Sequence, residues 1–486
     1  MKKKVLAGVL ALSMLAASAA GCAGSGKKDA GLDPDTPVSL TVWHYYNGVQ
    51  QAAFDTLTEE FNATVGKEKG IYVKGYGQGS VSDLEKAISD SADGVVGAED
   101  MPDIFSTYAD TAYATQKKAR LVDLSQYFTE DELSGYVDAY IEEGYFNNDG
   151  KLYIFPVAKS TEIIMINKTD WEPFAEVAGV TEDDLATIEG VVKTAQSYYE
   201  WTDEQTPDIP DDGKAFYGRD AIANYFIIGM KQMGTDLFEV KDGKVTLNTD
   251  KDKIRRLWDN YYVPCMKGYF ASFGKFRSDD LKTGDILAYT GSTASAMYFP
   301  DELEGEKESY PIDFIIRDAP IMEGGENYKV QQGAGMAITQ SDEKREYAAS
   351  LFLKWFTQED QNLRFVCQSA YLPVLKEANT VESLDKVIKE DSLDINNKTY
   401  ECLVSTMNSF KNTKFYAAPC FNNSYDARQV LEHNLSDRAK ADKEAVEMEV
   451  AAGTPREEAV KPYITDKAFD EWYDSFCKAL KDAVEK

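Results

Sequence analysis

Residues 151–171, KLYIFPVAKSTEIIMINKTDW, limit what this chain can fold into more than any other stretch. Two apolar runs flank a polar pause, with no helical spacing across them, so the segment reads as two strands joined by a bend. Pro156 lacks a backbone donor and discourages helix at Phe155, which ends the first run near Val157. The second run, 162–167, has the isoleucine-rich composition of a strand buried on both faces of a sheet. Between them, Ala158, Lys159, Ser160 and Thr161 are small or polar, as suits a bend that lines a cleft. Such a segment is either an ordinary central strand pair or a crossing from one α/β lobe to another.

A chain of 486 residues exceeds the size at which one core stops growing, so two or more domains are expected. Hydrophobic residues make up 43% of it, enough for real cores, and the formal net charge is −31. That charge repels phosphate backbones and anionic membrane surfaces, which excludes a nucleic-acid partner. The first 21 residues stand apart from the fold. Three lysines precede an apolar run too short to span a membrane, and the small residues of Ala19-Ala20-Gly21-Cys22 follow it. This reads as a secretory signal peptide (1–21) with a lipobox-like end, implying cleavage before Cys22 and a lipid on its thiol. Residues 22–37 then form the lipidated cysteine and a flexible tether. The five remaining cysteines are odd in number and widely spaced, which suggests buried hydrophobes, with Cys402 and Cys420 the one pair worth testing for a bridge.

Strand and helix signals alternate from Val38 onward. An alternating strand (39–43) leads to the loop His44-Tyr45-Tyr46-Asn47-Gly48, and Phe54, Leu57 and Phe61 then mark an amphipathic helix. A second strand (71–74) ends in the glycine-rich loop 75–80, with Leu84 and Ile88 on the helix after it, and a third strand (102–106) ends at Tyr108, Ala109 and Asp110. This is the α/β pattern. Beyond the crossing, Thr181 with Asp184 resembles a capping box opening a helix through Leu185, Ile188, Val192 and Ala195. Residues 216–233 read as an apolar helix, and Asp242-Gly243 as a hairpin turn. A strand at 285–289 runs into TGSTAS (290–295), a run that either leaves backbone amides open to a ligand or forms a plain helix N-terminus. QQGAGMAI (331–338) reads as a strand returning the chain to the first lobe, and Tyr347, Leu351, Trp355 and Phe356 as one helical face. AYLPV (370–374) breaks the pattern before a final helical region.

The order of these features resembles the extracellular solute-binding proteins of bacterial ABC importers, in the group holding maltose-, oligosaccharide- and glycerol-3-phosphate-binding proteins. The matching pieces are the lipobox at Cys22, TVWH (41–44), MPDIF (101–105), the 150–171 crossing, QQGAGMAI, AASLFLKWF (348–356) and AYLPV. The resemblance implies an α/β, two-lobed periplasmic-binding-protein-like fold of type II, each lobe a sheet flanked by helices, joined by crossing strands. Residues 38–157 and 330–372 would form lobe 1, with 158–329 and 373–486 forming lobe 2 and the C-terminal helices. It further implies a monomer without cofactor that captures a small solute in the inter-lobe cleft, presents its closed form to permease subunits, and meets the membrane only through the lipid on Cys22. Mapped by motif, the cleft would draw on Tyr45, Tyr46, Gln78, Ser80, Tyr108 and Asp110 of the first lobe, Ser160 and Thr161 at the crossing, Ser292 of the second lobe, and Gln332 and Gly333 on the return strand.

Two branches of that group compete. Tyr45, Tyr46, Tyr108 and Asp110 suit a sugar, whose ring faces stack on aromatics while carboxylates and amides pair with its hydroxyls. Lys159, Ser292 and Arg428 could instead serve a phosphate ester. The first loop, HYYNG, lacks the acidic residue usual in the glycerol-phosphate branch, which favours a carbohydrate. A secreted glycosidase is the alternative of a different class. Among 83 Asp and Glu residues some carboxylate pair can always be found, so abundance carries no signal, and GxSxG, HExxH and Walker motifs are missing from the sequence. With only His44 and His433, a histidine-based triad has little material, and His44 reads either as a ligand contact or as a structural residue.

Overall fold

The computed structural model describes residues 30–147, 149–241, 243–304 and 308–485. The signal peptide, Cys22 and the first part of the tether lie outside the described residues. So does Asp242 of the expected hairpin turn, although Phe238–Lys241 and Lys244–Leu247 pair antiparallel around it, with Gly243 at φ +72°.

Two four-stranded sheets organise the chain. In the first, Val38–His44 lies between Ile71–Gly77 and Ile104–Thr107, parallel to both, and Gly335–Ile338 adds antiparallel to the outer edge of Ile104–Thr107. Its faces are covered by the Gly48–Ala63 and Glu343–Phe356 helices through Phe54, Leu57, Phe61, Phe352 and Trp355. The second sheet is built around Glu162–Asn167, whose six residues are all buried. This strand pairs antiparallel with Phe314–Asp318 on one side and Ala288–Ser292 on the other, and Tyr217–Arg219 completes the sheet. Trp258, Trp472 and Phe476 close the core beneath the C-terminal helices Ser424–Ala451 and Asp466–Glu485. A further cluster joins Leu363, Val366 and Leu372 to the Val381–Glu390 and Asn397–Phe410 helices.

Between the lobes the backbone crosses at three linked places. Ser160 and Gln332 exchange backbone hydrogen bonds of 2.9 Å in each direction. Lys159 pairs with Leu372, and Tyr328–Val330 runs parallel to Lys414–Tyr416. Residues 151–157 make only an isolated bridge at Phe155 rather than the regular strand expected, and the bend at 158–161 adds isolated bridges at Lys159 and Ser160. The missing donor of Pro156 and the turn at Gly333, φ +85°, interrupt the ladder.

Other local readings are also corrected by tertiary context. Tyr217–Arg219 belongs to the sheet, not to the following helix, because the edge beside Ala288 is open to it, and the helix spans Ile222–Gln232. The Thr181 capping box opens only the short turn Glu182–Leu185, and Thr187 caps a separate helix, Ile188–Asp203. All five described cysteines are free, and Cys402 and Cys420 sit in different clusters, so the bridge is not formed.

Candidate ligand-binding cleft

A cleft of about 340 Å³ opens beside the crossings, at the lower end of the roughly 300–1,000 Å³ usual for small-molecule sites. Larger hollows, about 1130 and 660 Å³, lie wholly on the second lobe. This cleft differs in drawing its walls from both lobes and the hinge. Three elements of the first lobe reach it. The helix Val81–Ala92 brings Glu85, the N-terminus of Ala109–Gln116 brings Tyr108 and Asp110, and the short turn Glu143–Tyr145 brings Glu143. Gln331 and Gln332 form the hinge side. The second lobe supplies Asn224, Phe238, the segment 417–421, Tyr425 and Arg428.

Arg428 is held in place by a polar chain reaching into the second sheet. Its Nη2 donates to Asn224 Oδ1 at 2.8 Å, and Asn224 Nδ2 donates to Glu162 Oε1 at 3.0 Å. Glu162 Oε2 accepts from Arg219 Nη2 at 2.9 Å. On the opposite wall, Thr111 brings two carboxylates together. Its hydroxyl donates to Glu85 Oε1 at 3.1 Å while its backbone amide donates to Asp110 Oδ1 at 2.8 Å. Burial and the neighbouring Asp110 carboxylate push the Glu85 pKa up to about 7. Glu143 takes the Lys159 ammonium and the Gln331 amide, which leaves Gln331 Oε1 buried without a partner. Gln332 Oε1 is likewise unpartnered.

Of the residues singled out from sequence, Tyr108, Asp110, Gln332 and Arg428 line this cleft together. Tyr45 lies behind it, its hydroxyl 3.2 Å from that of Tyr371 and accepting from the Ala334 amide at 3.3 Å. Tyr46 is packed among His44, Phe54 and Phe365, and His44 is fully buried between Tyr46 and Phe54. Gln78 continues the edge strand by donating to His44 O, and Ser80 caps the next helix in a box with Asp83. Ser160 and Thr161 are buried in the crossing, where Thr161 Oγ1 donates to Val330 O at 2.8 Å. Gly333 accepts from Lys159 Nζ at 2.7 Å, so that ammonium is fully engaged at the hinge.

Ser292 caps the turn Thr293–Tyr298, accepting from the Ala294 amide, while the Thr293 amide donates to Thr161 O. The first half of TGSTAS therefore ends the Ala288–Ser292 strand and the second half opens a short turn whose first amides are taken internally, rather than an open anion nest. Sequence reasoning passed over Glu85, Glu143, Asn224, Gln331 and 417–421. The only signals for them were the doubled glutamine of QQGAG and the proximity of APCF to the FNNSYDAR segment.

Two sheet lobes joined by backbone crossings, with a polar and aromatic cleft at the hinge, define a two-lobed binding protein whose ligand can be gripped from both sides. The model of the family described as bacterial extracellular solute-binding protein matches residues 56–393, more than half the chain, and the protein belongs to that family. Among solved structures, the cyclic alpha-maltosyl-1,6-maltose binding protein of Arthrobacter globiformis is similar with a TM-score of 0.66 at 18% identity, covering 92% of this chain and 99% of its own. The GacH receptor of Streptomyces glaucescens, solved unliganded and with acarbose, gives 0.63 at 15% identity, covering 91% and 98%. UgpB of Mycobacterium tuberculosis, in complex with glycerophosphocholine, gives 0.63 at 18%, covering 92% and 98%. At these identities the likeness establishes a shared fold. No curated protein sequence matches the chain.

Proposed function

We propose that this protein is the lipid-anchored, extracytoplasmic binding component of an ABC importer, capturing a carbohydrate in the inter-lobe cleft and delivering it to the permease. The observation that carries the solute class is the cleft wall. Tyr108, Tyr425, Phe238 and Phe421 line it from both lobes, beside carboxylate and amide oxygens suited to hydroxyl donors. Contacts to both lobes favour the closed state, and closure is what a permease would recognise. Glu85 and Asp110 bring two carboxylates to the cleft, and it is membership of a solute-binding family that leads us to read the chain as a binder and not a glycosidase. The anchor rests on AAGC at 19–22, whose cysteine would carry the lipid.

A phosphate ester such as glycerol 3-phosphate or a glycerophosphodiester is the second reading, favoured by Arg428 in the cleft and by the glycerophosphocholine bound to the M. tuberculosis neighbour. It is weakened because Lys159 is held by Glu143 and Gly333 while Ser292 lies off the cleft wall. Thermal unfolding of the chain from Ala23 onward against mono- and oligosaccharides, glycerol 3-phosphate and glycerophosphodiesters separates the two. A ligand at about 100 times its Kd adds about 2.7 kcal/mol to native stability. A shift with sugars and none with phosphates supports the carbohydrate reading, and the reverse replaces it. Release of a Cys22→Ala variant into the medium, with wild type retained on cells, is the expected test result for the anchor. Turnover of a chromogenic glycoside would defeat the non-enzyme reading.

A further inference from the structure

The hydrogen-bonding groups of the cleft are unequally divided. Glu85 and Asp110 face it with Thr111 as their common donor, and Gln331 Oε1 has no partner although that residue is only 7% exposed. Gln331 cannot turn its nitrogen toward the cleft without losing its bond to the Glu143 carboxylate. Gln332 adds a second unpartnered carbonyl oxygen. Among the described residues lining the cleft, Arg428 is the only cation, and Asn224 already engages its Nη2. With Glu143 matched by Lys159, the two carboxylates Glu85 and Asp110 face one guanidinium. Such a wall carries a surplus negative charge and, beside it, two carbonyl oxygens without a partner.

We propose, building on the carbohydrate reading, that the solute is an amino sugar or amino polyol whose protonated amine is received by Glu85 and Asp110 while its hydroxyls meet Gln331 and Gln332. An ammonium supplies three donors and no acceptor, which is the complement this wall lacks, whereas a phosphate supplies only acceptors. The groups that face Glu85 are Asp110 and Thr111 from the Ala109–Gln116 helix and Tyr425 and Arg428 from the Ser424–Ala451 helix. Since Glu85 titrates at about 7, binding of a fixed cation is linked to loss of its proton, and affinity rises with pH through that value.

The test is calorimetric titration of the full lipid-free chain with matched pairs: glucose with glucosamine, and glucitol with 1-amino-1-deoxyglucitol, an alkyl amine that stays protonated across the range used. The amine member is expected to bind at least about tenfold tighter than its neutral counterpart near neutral pH, and for the glucitol pair, whose amine stays charged, that preference grows from about pH 6 to about pH 8. Glu85→Gln, checked for folding by its unliganded melting temperature, is expected to reduce the amine-over-neutral ratio about tenfold. A neutral member binding as tightly as its amine overturns this inference and leaves the carbohydrate reading intact. Binding of glycerophosphocholine with no response to either pair overturns both, as does silence from every polyol and amine.

Discussion

The chain of polar contacts from Arg219 to Arg428 makes Glu162→Gln a stringent perturbation. Glu162 and Arg219 are each only 7% exposed, and the carboxylate accepts from Arg219 on one oxygen and Asn224 on the other. Burial works against the Arg219 charge, and the Glu162 carboxylate overcomes it, holding that guanidinium above its ordinary range. The glutamine keeps the shape but replaces one acceptor with a donor, so it opposes either Arg219 or Asn224 donor to donor. Removing one partner of a buried pair costs about 3–5 kcal/mol. Glutamine retains one bond, which sets the expectation near the lower end of that range. A domain of about 150–250 residues loses about 2–4 °C of Tm per kcal/mol and the second lobe is larger still, so it should melt about 6 °C lower by calorimetry.

The inversion also reaches the cleft, because an Asn224 that flips to suit the introduced amide turns its own nitrogen toward Arg428. Solute affinity should fall with stability. In Glu162→Leu/Arg219→Met the buried charges are gone together, and most of the lost Tm should return. Affinity should not return, since Asn224 Nδ2 still lacks its acceptor. A single variant melting within about 2 °C of wild type, or a double variant no more stable than the single, refutes this account of the network.

Three further outcomes are expected. His44 is fully buried, and burial lowers its pKa from 6.5 to about 4. Its contribution is complete above pH 6.5 and is lost as pH falls toward 4, amounting to about 3 kcal/mol, so urea unfolding across that window should be flatter for His44→Leu than for wild type. At Gly333, φ +85°, an added Cβ would lie 2.9 Å from both Ala158 O and Lys159 Cα. Gly333→Ala should therefore cost roughly 1–3 kcal/mol and shift the closed-state fraction seen by small-angle scattering, and an unchanged melt and profile would count against its hinge role. Tyr108→Ala should weaken the solute found by thermal screening about two- to tenfold in titration calorimetry, while Ser292→Ala leaves affinity unchanged; equal losses would mean the cleft wall has been misplaced.

Patterns that depend on near neighbours were legible in the sequence. The alternating strand and helix signals after Val38 and the buried isoleucine strand 162–167 form as read, and the return strand read at 331–338 forms over its second half, Gly335–Ile338. Trp355 and Trp472 are buried at their helical positions. Apolar period and turn chemistry act over a few residues, so one sequence carries them. Residues 151–157 and 216–219 were misread because an open sheet edge or an interrupted ladder decided their conformation, and those partners lie far along the chain.

The site divided along the same line. Strand-end loops are recognisable locally, and Tyr108 and Asp110, mapped there by the resemblance, line the cleft, as does Gln332, mapped on the return strand. Tyr45, Tyr46 and Ser292 look equally suitable in sequence, yet rings packed in the core and a helix cap employ them. Glu85, Glu143 and Asn224 carry no local mark, because an exposed helical carboxylate and one that faces a cleft are written alike. By itself, the sequence determined most of the segments that form elements and that one core would not suffice. Only the tertiary structure decided which polar groups lack a partner, because that depends on every donor within about 3 Å across the fold, and here those donors come from residues far apart in the chain.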